Sequence, residues 1–132
     1  MDNLLEQLDD LEIYVEGAPL DAIKQWLLAN FPGSEVRRES KKGFRFQGAY
    51  QAKRTPITVV KNAGNTGFTS IWVQNRNTPW SNDMEMGRSA HQAIGATVRC
   101  IESAWQKGDD PDRWYEISTG GEKIISWKTA DD

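Results

Sequence analysis

The chain has 132 residues, a length that suits one domain with a core of its own, and no apolar run reaches the roughly 18 residues that a membrane-spanning helix needs. Its one cysteine, Cys100, excludes an internal disulfide, and the acidic opening "MDNLLEQLDD" lacks a basic-then-apolar signal pattern, so a reducing cytoplasm is expected. The net charge of −3 hides a segregation: residues 36 to 61 carry Arg37, Arg38, Lys41, Lys42, Arg45, Lys53, Arg54 and Lys61 against Glu39 alone, a local +7 that leaves −10 for the rest.

In chain order, "NLLEQLDDL" places Leu4, Leu8 and Leu11 on one helical face behind a capping box of Asn3 and Glu6, predicting a short N-terminal helix or arm over 1–10. "LEIYVE" alternates Leu11, Ile13 and Val15 with Glu12, Tyr14 and Glu16, the pattern of a half-buried strand that Gly17 ends. "PLDAIKQWLLANF" spaces Leu20, Ile23, Leu27 and Phe31 as a helix with Pro19 near its first turn, and "PG" at 32–33 stops it. Four strands are predicted next, over 34–40, 43–51, 57–61 and 68–74, separated by "KKG", "AKRTP" and "NAGNTG".

The loop "NRNTPWSND" leads into a long helix capped by Asn82 and Glu85, with the stripe Ala90, Ile94, Val98, Ile101 and Trp105. Small residues beside that stripe, Gly87 among them, would allow close approach to a sheet. "RWYEIS" and "EKIISWK" around "TGG" predict a final hairpin, and 129–132 a flexible tail. The order β-α-β-β-β-β-α-β-β predicts a two-layer α+β fold in a single domain over 1–132. It has one largely antiparallel sheet and two long helices on one face.

"IYVEGA" (13–18) and "KGFRFQGA" (42–49) resemble the short and long motifs of the RNA-recognition motif family, which implies base stacking on Tyr14, Phe44 and Phe46. The resemblance ends there. The family continues into a helix, whereas "PITVV" and "FTSIWVQ" read as strands. Side-chain parity also opposes it: Arg45 and Gln47 alternate with the two rings, and burying an unpaired guanidinium costs several kcal/mol, more than exposing a Phe loses. Phe44 and Phe46 are therefore expected in the core and Arg45 and Gln47 outside, so membership of the family is rejected.

Parity then assigns Thr69, Ile71 and Val73 to the helix side, and Phe68, Ser70, Trp72 and Gln74 to the other. Tyr14 and Trp114 join that outer face by the same rule. An outer face of Tyr14, Arg45, Gln47, Trp72 and Trp114 has the aromatic-plus-arginine composition of binding hot spots. The competing expectations are that the chain's own ends cover it, and that the Lys and Arg of the hairpin only discourage edge pairing.

No catalytic constellation is visible. His91 and Cys100, read as residues of one helix, point to opposite sides, and no Cys/His cluster or phosphate-cradling glycine loop occurs. No cofactor and no metal are expected. Acidic pairs such as Asp83 and Glu85 read as helix N-terminal charges.

The sequence thus suggests a small non-catalytic binding module: an adaptor, inhibitor, immunity-type or regulatory subunit. Its partner surface would comprise Tyr14, Arg37, Arg38, Lys41, Lys42, Arg45, Trp72 and Trp114, meeting a partner protein or a second copy. The alternative is nucleic-acid binding by the basic hairpin 36–61. A membrane role is not expected, and an enzyme or small-ligand carrier has the least support.

Overall fold

The computed structural model describes residues 10–101 and 112–128. The helix expected over 1–10, apart from Asp10, lies outside the described residues, as do Trp105 and the tail at 129–132. The described elements are β1 (Leu11–Glu16), α1 (Leu20–Asn30), β2 (Glu35–Ser40), β3 (Gly43–Tyr50), β4 (Lys53–Val60), a 3-10 turn at Ala63–Asn65, β5 (Phe68–Val73), α2 (Asp83–Ile94), β6 (Val98–Cys100), β7 (Arg113–Ser118) and β8 (Gly121–Ser126). All eight strands form one antiparallel sheet in the order β2-β3-β4-β5-β1-β6-β7-β8, so the chain is an α+β protein built on a sheet. None of the described helices is long and apolar enough to cross a membrane.

Strand alternation builds the core. Leu11, Ile13 and Val15 are fully buried, and register sets Phe46 opposite Ile57, Ile57 opposite Val73 and Val73 opposite Leu11. Residues directly opposite in register share a face, so these side chains form one apolar surface. Phe31, which caps α1, packs its ring 6.3 Å from Phe46. Helix α2 lies on the same surface farther along the sheet, because Gly87 approaches Val98 and Ile117 so closely that a Cβ there would stand 3.2 and 3.0 Å from their side chains. The helices meet where Trp26 stacks on Trp80 at 5.1 Å and donates its indole N–H to Ser89 Oγ at 3.0 Å.

Two expectations are corrected. The second long helix ends at Ile94, because Gly95 adopts φ +83 and returns its N–H to the His91 carbonyl, a left-handed stop that closes a helix. Val98–Cys100 then pairs with β1 and β7 as a strand that the predicted order lacks. The apolar spacing fitted a helical period, but Val98 and Cys100 also fit a period of two, and both are fully buried. His91 and Cys100 are accordingly not on one helix.

The other correction is the turn between β3 and β4. It consists of Gln51 and Ala52 alone, both left-handed at φ 53 and 66, and β4 starts at Lys53 rather than 57. Pro56 fits inside β4 because it lies just past the last pair with β5, Ile57 opposite Val73. There it accepts the Gln74 N–H and has none to give.

Candidate functional site

The sheet face away from the core carries the row Arg37, Arg45, Thr58, Trp72 and Glu12, each residue opposite the next on successive strands from β2 to β1. Phe44 and Phe46 are 3% and 2% exposed, turned to the core, while Arg45 between them is exposed. The stacking platform that the RNA-recognition resemblance implied does not form on this strand.

The basic half of the face spans β2 to β4. Arg37, Arg38, Arg45, Gln47, Pro56 and Gln74 line a cleft of about 310 Å³. Arg37 is opposite Arg45 in register, an arrangement that costs stability because like charges face each other at short range. Arg37 is held by Glu35, which accepts from Nη2 at 2.5 Å and from Nε at 3.1 Å. Among the described residues, neither Arg38 nor Arg45 has an ion pair. Gln47 Nε2 is buried with no acceptor, while Gln74 Oε1 accepts from Thr58 Oγ1 at 3.2 Å. Lys41 and Lys42 occupy the exposed β2–β3 turn, beside the cleft strands rather than in the cleft.

The aromatic half is different. Tyr14, Phe68 and Trp114 gather under Trp127, with ring centroids 5.5, 5.0 and 4.9 Å from its indole. Arg99 lies 4.7 Å from both the Phe68 and Trp127 rings while its Nε donates to Glu116 Oε2 at 3.0 Å. Phe68 faces outward by parity yet is only 4% exposed, because the chain after β8 folds back over it. The structure therefore places Tyr14 and Trp114 in a self-packed cluster, half-buried, and leaves Trp72 at its rim, 38% exposed and donating to Asp10 Oδ2 at 2.9 Å.

Trp127 and Arg99 were not anticipated from the sequence. Arg99 falls inside the over-long helix, and Trp127, within the expected strand "EKIISWK", lies just past the observed end of β8 at Ser126. Truncating Trp127 to Ala is expected to cost about 2 kcal/mol, less than a fully buried ring because one side stays wet. Urea unfolding measures this, and a loss under about 0.5 kcal/mol would mean that Trp127 does not cover the sheet.

Titratable groups elsewhere are tied into the fold in different ways. Burial pushes the Cys100 thiol up to about 12, which leaves no thiolate at neutral pH. His91 Nδ1 lies 2.8 Å from the Ala96 carbonyl, tying down the turn after α2 rather than standing in solvent. Asn82 caps α2 by accepting the Glu85 N–H at 2.9 Å, and Glu85 reaches back to the Ser81 N–H at 3.3 Å. Asp83 is no plain surface helix charge: burial raises its carboxyl to about 7, even though it accepts a hydrogen bond from the Glu12 backbone. Among the described residues, no three His, Cys, Asp or Glu side chains gather as a metal site.

No protein-family model matches the chain, and no curated protein or solved structure is similar to it.

Proposed function

We propose that the chain is a small binding module, an adaptor, inhibitor, immunity-type or regulatory subunit, that docks an acidic segment of a partner protein on the basic half of its outer sheet face. The observation that supports this most directly is Arg45. Discouraging edge pairing accounts for charges on β2, the edge strand, but β3 lies between β2 and β4 and has no free edge to protect. A cation on an interior strand, opposite another cation and without a counter-charge among the described residues, is a standing cost that an acidic ligand removes. Trp72, two strands away or about 10 Å, supplies an exposed aromatic anchor on the same row. Lys41 and Lys42 extend the positive field and speed encounter. Tyr14 and Trp114 support the far side of the face from within their cluster.

The test is a titration with poly-glutamate and with single- and double-stranded oligonucleotides at low and near-physiological salt. Poly-glutamate is expected to bind, to weaken at least tenfold in Arg45→Glu, and to weaken by about tenfold in Trp72→Ala. Oligonucleotide binding that stays micromolar or tighter near physiological salt, and is lost on reversing Lys41 and Lys42, overturns the reading in favour of nucleic acid at 36–61.

A further inference from the structure

We infer that the cleft between Arg37, Arg38 and Arg45 takes a phosphate monoester carried on a side chain of the partner, an inference that rests on the docking surface proposed above. Three arginines line it and Glu35 offsets one of them, which leaves a local charge near +2. A carboxylate answers only one of the two remaining cations. A phosphate monoester carries about −1.5 to −2 at neutral pH and presents three acceptor oxygens, so it answers both.

The backbone is arranged for this. In a regular strand, consecutive residues point to opposite faces, so Arg37 and Arg38 could not share a cleft. A bulge between Arg37 and Ser40 breaks the register, and Arg38 sits at φ +46, a left-handed conformation that non-glycine residues rarely adopt. Both arginines thereby line one cleft. Arg45, opposite Arg37 in register and with no ion pair among the described residues, has the fork that arginine uses to recognise an oxyanion bidentately, while Arg37, held by Glu35, adds its charge beside it. Gln47 Nε2, buried in the same cleft without an acceptor, supplies a further donor. Pro56 on the neighbouring strand gives an apolar wall for the ester carbon, and about 310 Å³ is room for a phosphoryl group with its link.

The experiment follows the Gln47 side-chain amide and the arginine Nε signals by nitrogen–proton NMR at constant ionic strength. The probes are inorganic phosphate, a short phosphoserine peptide, the same peptide with Glu in place of phosphoserine, and a nucleoside 5′-monophosphate. The phosphoserine peptide is expected to saturate the Gln47 and Arg45 signals at least tenfold more tightly than the Glu peptide. Its affinity should fall as pH drops below about 6, where the phosphate gains its second proton. Arg45→Gln should lose tenfold or more with its other amide signals unmoved, and Arg45→Lys should recover only part, since an ammonium keeps the charge but not the fork.

Equal affinity for the Glu and phosphoserine peptides overturns the phosphate assignment and leaves acidic-partner docking intact. So does phosphate binding that is unsaturable and unchanged in Arg45→Gln, the mark of an adventitious ion only. Tighter binding of the nucleotide than of the phosphopeptide overturns the protein source. Failure of poly-glutamate itself to bind removes the docking surface, and this inference with it.

Discussion

Phe46→Ala is expected to lose about 3–5 kcal/mol of folding stability, as buried aromatic truncations do. The ring is 2% exposed, faces Ile57 across the β3–β4 ladder, and meets Phe31 edge-on at 6.3 Å. The void left behind has little freedom to close. Two residues along β3, a Cβ on Gly48 would stand 2.7 Å from the Thr55 carbonyl oxygen and 3.4 Å from the Phe31 ring, so the strand is already seated tightly between β4 and α1.

Urea denaturation with an unchanged slope reads the loss directly. A loss below about 1 kcal/mol would show the ring to be accessible and restore a base-stacking strand. Arg45→Ala is the informative contrast. The neighbouring position is expected to be neutral or to stabilise by a few tenths of a kcal/mol, because the repulsion with Arg37 disappears. A residue whose removal helps folding while abolishing acidic-ligand binding is retained for binding.

Stability is expected to fall by about 2–4 kcal/mol as pH rises from about 4 to 7, and Asp83 is the group responsible. Burial first, then the nearby carboxylates of Asp10 and Glu12, raise its carboxyl to about 7, against the hydrogen bond from the Glu12 backbone and the charge of Arg76. The folded chain therefore keeps a proton that the unfolded chain releases near its ordinary value. Stability is full below that ordinary value, declines through the window between the two, and is constant above. Glu12, raised by burial against its bond from Ser70, adds to the same slope.

Glu122 has the opposite sign. The Arg88 guanidinium, at 2.8 and 2.9 Å, and the Tyr115 hydroxyl, at 2.6 Å, hold its carboxyl down at about 2, so its contribution is lost as pH falls from its ordinary value through about 2. Together these groups place maximum stability in mildly acid solution, near pH 4–5. Asp83→Asn keeps an oxygen to accept the Glu12 N–H and removes the ionisation. It should flatten the decline and unfold at higher urea than the parent at pH 8. An unchanged pH profile in Asp83→Asn would assign the decline to other groups.

Much of the fold was legible in the residues. Leu11, Ile13 and Val15 could belong only to a half-buried strand, and the alternation of Phe44 and Phe46 with Arg45 and Gln47 specified which side of β3 meets the core. Those signals are local: the cost of burying a guanidinium or exposing a ring is a property of the residue and the strand period. The left-handed glycine that ends α2 was legible too, but it competed with an apolar spacing that fitted a longer helix. Val98 and Cys100 became a strand because β1 had an unpaired edge to offer them, and no pattern within 95–101 records the state of an edge elsewhere in the sheet.

The site divided in the same way. Parity identified Arg45 and Trp72 as outer-face residues from the sequence. It could not tell that Trp127 would close over Phe68 and occupy Tyr14 and Trp114, or that a bulge at Arg38 would turn two consecutive arginines into one cleft opposite Arg45. Which face a side chain takes follows from the alternation of its own strand. What it meets on that face depends on register between strands distant in the chain, and register is decided only when the whole sheet pairs.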